Sequence, residues 1–146
     1  MPHSLLNFAR MTSAYDIFKQ RAAAPHRRKP SHPEHDIQVA CVRWFRLQYP
    51  HLAHALFSVP NGGRRDERTG AMLKAEGALP GVSDLILLHP SADCCALLIE
   101  MKTAGGKQSK AQLSWQQLIT ASGRYRYIVC HSLDEFIDEI QRYISA

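Results

Sequence analysis

The tightest constraint in the sequence is a pair of short apolar runs, "DLILLHP" from Asp84 and "CCALLIEMK" ending at Lys102, separated only by "SAD". Runs this short and this apolar, split by a polar loop, read as two buried strands of one antiparallel hairpin. The second run also carries Glu100 and Lys102, where packing alone has no use for ionisable groups. Strands alternate faces with period two, so Glu100 and Lys102 share a face with Leu98 and Ala96, while Leu97, Ile99 and Met101 point the other way. With the loop centred near residues 91–92, the strands pair with index sums near 183–184, which puts Asp84 opposite residue 99 or 100. Facing Cβ atoms in such a pair lie about 4.5–5.5 Å apart. The sequence therefore predicts two carboxylates together at one end of a hairpin, with an ammonium beside them.

The elements around the hairpin follow from periodicity and punctuation. "SHPEHDIQVACVRWFRLQYP" is an amphipathic helix with Ile37, Cys41, Trp44 and Phe45 on one stripe, Ser31 as expected N-cap and Pro50 just past the end. "HALFSVP" is a short strand, "NGGRR" a turn, and "DERTGAMLKAEGA" a short polar helix stopped at Gly77. After the hairpin come the loop "AGGKQ", a helix from Ser109 to Gly123, the strand "RYRYIVCHS" and the amphipathic C-terminal helix "LDEFIDEIQRYIS". The expected order is α-β-(α)-β-β-α-β-α, an α/β fold with a mixed sheet flanked by helices. Residues 1–30 form a separate helical appendage and basic linker, "PHRRKPSHP" being broken by prolines, and residues 31–146 form the domain.

Composition narrows the function classes. The chain of 146 residues carries a net charge of +5, with 12 arginines against 6 lysines, a balance that favours a polyanionic partner. No apolar run is long enough to span a membrane, and "MPHSLLNFARMTSAY" is too interrupted for a secretory leader, so no membrane partner and a cytoplasmic location are expected. The four cysteines show no C-x-x-C spacing, which argues against zinc and for reduced, buried thiols. His32 and His35 have no answering ligand pair.

Two close carboxylates repel, and burial adds to the cost unless something positive sits between them. A divalent cation meets that need, since Mg²⁺ takes one or two carboxylates plus waters and substrate phosphates. Lys102 would then orient an attacking water or neutralise phosphate charge. The alternative is an ordinary Glu–Lys or Asp–Lys ion pair at a strand end. Glu34 lies in register with the apolar stripe of its helix and could reach the same end of the sheet, although Ser31-x-x-Glu34 also matches a capping box. Ser109-x-x-Gln112 has the same capping spacing, and Gln112 could instead project towards the acidic end of the sheet. Asn61, Gly62 and Gly63 give a backbone that can approach phosphates, with Arg64, Arg65, Arg68 and Lys74 supplying charge. Lys107 and Lys110 repeat the pattern beside Gly105 and Gly106. Such contacts bring affinity without sequence selectivity, and both segments could equally be plain exposed loops.

Taken in order, "PEHDIQ", "PNGGRR", "LKAEGALPGVSDLILL", "LLIEMK" and "SKAQLSWQQL" resemble the VRR-NUC nucleases, a branch of the PD-(D/E)xK superfamily, over roughly residues 34–143. The likeness is to the small standalone type of phages and bacteria. The tripeptide that names the family is not evident, "GVSD" standing before the strand. The resemblance implies the restriction-endonuclease-like core of that superfamily and a metal-dependent phosphodiesterase. Asp84 and Glu100 would hold Mg²⁺ or Mn²⁺, with the Met101 carbonyl as a further ligand. Lys102 maps to the signature lysine, Glu34 to the acid of the first helix, and Gln112 to the glutamine of the helix after the hairpin. The standalone members resemble Holliday-junction resolvases, which implies branched DNA as substrate and a homodimer. Two other readings use the same residues: a non-catalytic DNA-binding module on a nuclease fold, and a sequence-specific restriction-type endonuclease, for which no extra recognition domain is visible.

Overall fold

Pro33 opens the first helix, α1 (Pro33–Gln48), where its fixed φ suits the first helical position and its missing N–H is not needed. The computed structural model describes residues 32–60 and 67–146. His32 is the N-cap and makes no side-chain capping bond. This corrects the expected N-cap by one position, from Ser31 to His32, with the proline setting the helix start; the Ser31-x-x-Glu34 capping box rests on Ser31, which lies outside the described residues. The expectations for residues 1–30 and for the loop Asn61–Arg65 also lie outside the described residues.

A single 3₁₀ turn (Pro50–Leu52) follows, then β1 (Leu56–Ser58), α2 (Glu67–Ala75), β2 (Leu85–Leu87), β3 (Ala96–Met101), α3 (Lys110–Thr120), β4 (Tyr125–Cys130) and α4 (Leu133–Ile144). The four strands form one sheet in the order β1-β2-β3-β4. The first two pairings are antiparallel and β3–β4 is parallel, with α3 as the crossover. The architecture is a mixed sheet flanked by helices. In the hairpin Leu85 pairs with Ile99, Ile86 with Leu98 and Leu87 with Leu97, the upper of the two expected registers. Ser91 and Cys94 close its loop through a mutual backbone bridge, and Ala92 takes φ 45° at the tip.

Alternation along the strands decides what lies on each face. Leu97, Ile99 and Met101 of β3 join Leu56, Leu85 and Leu87 on one side, where α1 (Cys41, Trp44, Phe45) and α4 (Phe136, Ile137, Ile140, Tyr143) complete the core. Trp44 stands edge-on to Phe136 and Tyr49 at centroid distances of 6.1 and 5.9 Å. Contacts of that geometry add about 0.5–1.5 kcal/mol each beyond the area they bury. Ser132 caps α4 by accepting from the Glu135 N–H. Cys41 and Cys130 are buried in this core, as expected of reduced thiols, but Cys95 is exposed and Cys94 half-buried.

The opposite face is covered more thinly. Helix α3 crosses it, Trp115 meeting Tyr127 of β4 edge-on at 6.1 Å, yet α3 buries no residue fully. On this face Ala96, Leu98 and Glu100 of β3 are nonetheless buried, and Asp84 at the hairpin end is half-buried.

Candidate active site

Glu100 is fully buried, and its carboxylate is reached from three elements. Lys102, two residues on and on the same face, donates from Nζ to Oε1 at 2.6 Å. Gln112, in the first turn of α3, donates from Nε2 to the same oxygen. Tyr127, on the parallel neighbour β4, donates its hydroxyl to Oε2 at 3.2 Å. Asp84 lies just before β2, half-buried, and its Oδ2 accepts the Met101 N–H at 2.8 Å. That bond continues the hairpin one step beyond the ladder. It brings the Asp84 carboxylate across to the β3 end that holds Glu100 and Lys102. Met101 supplies only its backbone here, because its side chain is buried in the core on the other face.

The second capping spacing lies wholly within the described residues. Ser109 and Gln112 form the full box: the Ser109 hydroxyl accepts the Gln112 N–H at 3.2 Å, and Gln112 Oε1 accepts the Ser109 N–H at 2.7 Å. The same amide then turns its nitrogen to Glu100, so Gln112 caps the helix and reaches the acidic cluster at once. Gly81 seats this turn. It adopts φ +88°, and a Cβ there would fall 2.6 Å from the backbone of Ala111. Only a glycine allows the loop before Asp84 to lie this close to α3. Gly106 plays a milder version of the role beside the Lys102 stem, where a Cβ would sit 3.2 Å from Lys102 Cβ.

Burial raises the pKa of Asp84. Its bond from Met101 and the Lys102 charge pull it back, and Glu34 pushes it up further. Burial likewise raises Glu100, opposed by the hydrogen bond from Lys102 and reinforced by Asp84. For Lys102 burial acts downward, but Glu100, Glu34 and Asp84 outweigh it and the ammonium is stabilised. Glu34 is exposed on α1, yet its field acts on both Asp84 and Lys102, so the first helix does bring an acid towards the cluster. Lys107 and Lys110 are exposed on either side of Ser109, and Lys74 is exposed in the last turn of α2.

This donor set fits a hard divalent cation: oxygen ligands, two carboxylates with raised proton affinity and one ammonium too few to balance them. Among the described residues no three His, Cys, Asp or Glu side chains gather closely enough to enclose an ion. A cation here would take much of its shell from water and phosphate, as Mg²⁺ does. Sequence reading missed Tyr127, Gln108 and Gly81. Alternation in "RYRYIVC" sets Tyr127 opposite Cys130, but only the parallel register, Leu98 with Tyr127, shows that it neighbours Glu100.

The pKa directions carry a prediction. Raised carboxyl pKa values mean that the folded chain binds more protons than the unfolded one between the two pKa values. Asp84 and Glu100 therefore cost no stability when protonated and cost most once pH has risen through their folded pKa. The raised Lys102 pKa contributes stability below its unfolded value and loses it only in alkali. Mg²⁺ held by this pair would raise the melting temperature near neutral pH, and raise it less as pH falls through the raised carboxyl pKa values, where protons compete with the cation. A shift that does not change with pH, read by scanning fluorimetry, would contradict this.

No described helix is long and apolar enough to cross a membrane. Curated proteins give no match. A solved structure described as a VRR_NUC domain protein aligns with a TM-score of 0.66 at 23% identity, covering 80% of this chain and 92% of its own. At that identity the likeness is one of fold. The VRR-NUC domain model matches residues 32–134, a stretch that holds α1, the hairpin with its acidic end, α3 and β4. The chain therefore belongs to the VRR-NUC domain family, and its function is of the nuclease type that processes DNA.

Proposed function

We propose that this protein is a Mg²⁺- or Mn²⁺-dependent deoxyribonuclease of the PD-(D/E)xK superfamily, an endonuclease acting on branched DNA such as Holliday junctions. The observation that carries the reading is the Asp84–Glu100 pair, two carboxylates of raised pKa at one hairpin end with the Lys102 ammonium bonded to Glu100. When bound, the cation polarises a phosphoryl oxygen and lowers the pKa of coordinated water. Asp84 and Glu100 hold it, and the Met101 carbonyl is a further candidate ligand. Lys102 keeps its proton and sets positive charge beside the scissile phosphate. Glu34 orders water at the mouth of the site, and Gln112 keeps Glu100 from turning away. Lys107 and Lys110 bind neighbouring phosphates, as do Asn61, Gly62, Gly63, Arg64, Arg65 and Lys74. None of these phosphate contacts reads bases, so selectivity comes from the spacing of positive surfaces. A homodimer would present two such sites to opposing strands of a junction.

The test compares linear duplex, flap, splayed-arm and four-way junction substrates in Mg²⁺, Mn²⁺ and EDTA, with the solution mass measured alongside. Cleavage of branched substrates only with metal is expected, from a species of twice the chain mass. Binding without cleavage in either metal would overturn the enzyme reading, cleavage in EDTA would overturn the metal, and equal cleavage of linear duplex would overturn the structure selectivity.

A further inference from the structure

Lys102 and Gln112 anchor one oxygen of Glu100, and a third donor anchors the other. Tyr127 is held on both sides. Its ring stands edge-on to Trp115, 61° between planes, and Gln108 Nε2 donates to its hydroxyl oxygen at 3.4 Å. The Gln108 amide is itself oriented by a 2.9 Å bond from the same nitrogen to Gln116 Oε1. With Gln108 donating to the phenol oxygen, the phenol proton is directed to Glu100 Oε2. A carboxylate offers about four acceptor directions. Oε1 already takes two donors, so among the described residues the capacity left to Glu100 lies on Oε2, beside Tyr127.

We propose that Tyr127 is a positioning residue that fixes the rotation of the Glu100 carboxylate and leaves one Oε2 direction open to the site, with Gln108 tying the loop that carries Lys107 to the same group. This rests on the reading of Glu100 as a cation ligand. Gln108 immediately follows Lys107, so the end of the basic loop is joined through two hydrogen bonds to the carboxylate that the reaction uses. Substrate contact at Lys107 and orientation of Glu100 are thus mechanically coupled.

The experiment uses the full chain with Mn²⁺ as the probe. Tyr127→Phe keeps the ring against Trp115 and removes only the hydroxyl. Calorimetric Mn²⁺ affinity should fall about 10–100-fold, the scale seen when a group supporting a metal ligand is lost. The kcat should fall with it while KM for DNA holds, a split that a general loss of structure would not give. Gln108→Ala should move both quantities in the same direction, and should add nothing in the Tyr127→Phe background. In the metal-free chain, Tyr127→Phe should shift the urea midpoint less when Glu100→Met has already removed the acceptor. Unchanged Mn²⁺ affinity and kcat in Tyr127→Phe, or additive midpoint shifts, would overturn the assignment. A lack of Mn²⁺ binding by the unaltered chain would overturn the metal reading instead, and the midpoint comparison would still decide whether Tyr127 holds Glu100.

Discussion

Asp84→Asn should reduce cleavage by about 10²–10³-fold, the scale of losing one group that stabilises charge in the transition state, while the fold and DNA binding persist. The substitution isolates the charge. The hydrogen bond that Asp84 receives from the backbone, the Met101 N–H on Oδ2, passes to the amide oxygen of an asparagine without a change of shape. What disappears is one of two negative charges: burial raises the pKa of both carboxyls, and the Asp84 charge raises that of Glu100 further. The metal-free variant should therefore be at least as stable as the unaltered chain near neutral pH. A residue that costs stability in the resting fold and is needed for turnover has the profile of an active-site group. Urea unfolding and junction cleavage on the same preparation check both halves. Cleavage within tenfold of the unaltered chain would remove Asp84 from the mechanism, and a marked loss of stability would mean that its charge supports the fold.

The hairpin was legible because its signals are local. Two apolar runs and a three-residue polar break fix an index sum, and the observed pairing of Leu85 with Ile99 lies within the expected pair of registers. Period-two alternation then puts Glu100 and Lys102 on one face, where their 2.6 Å contact is found. The Ser109 box was legible for the same reason, being a relation between residues three apart. Its second half, the reach of Gln112 to Glu100, was open in the sequence because it depends on where α3 lands on the sheet. Tyr127 and Gln108 were not legible at all. The β3–β4 pairing is parallel and joined through a helix, so no loop length fixes its register, and a tyrosine in "RYRYIVC" looks like any strand aromatic. Gly81 has no signal of its own in "LPGVSD"; that its missing side chain admits the backbone of Ala111 is a packing fact. The start of α1 shows the opposite failure, where the capping pattern at Ser31 suggested one boundary and the proline at the first helical position set another.

The second large effect concerns the Glu100–Lys102 pair. Glu100→Ala should abolish cleavage and also cost about 3–5 kcal/mol of stability, the range for removing one partner of a buried ion pair. The side chain of Glu100 is wholly inaccessible and that of Lys102 is only 11% exposed, so the ammonium cannot turn to bulk water without moving its stem. Gln112 and Tyr127 lose their acceptor in the same step, and each donor stranded in a buried place adds its own desolvation cost. Adding Lys102→Met to Glu100→Ala removes the unpaired charge and keeps the length of the stem against Gly106. The double variant should recover part of the loss, since apolar replacements of buried pairs are often tolerated, but none of the activity. Equilibrium unfolding of the two single variants and the double one forms a cycle that measures the coupling directly. Recovery of stability without recovery of cleavage would separate the structural share of the pair from its chemical share. Simple additivity would mean that Lys102 is solvated in the folded chain and that Glu100 is held by Gln112 and Tyr127 alone.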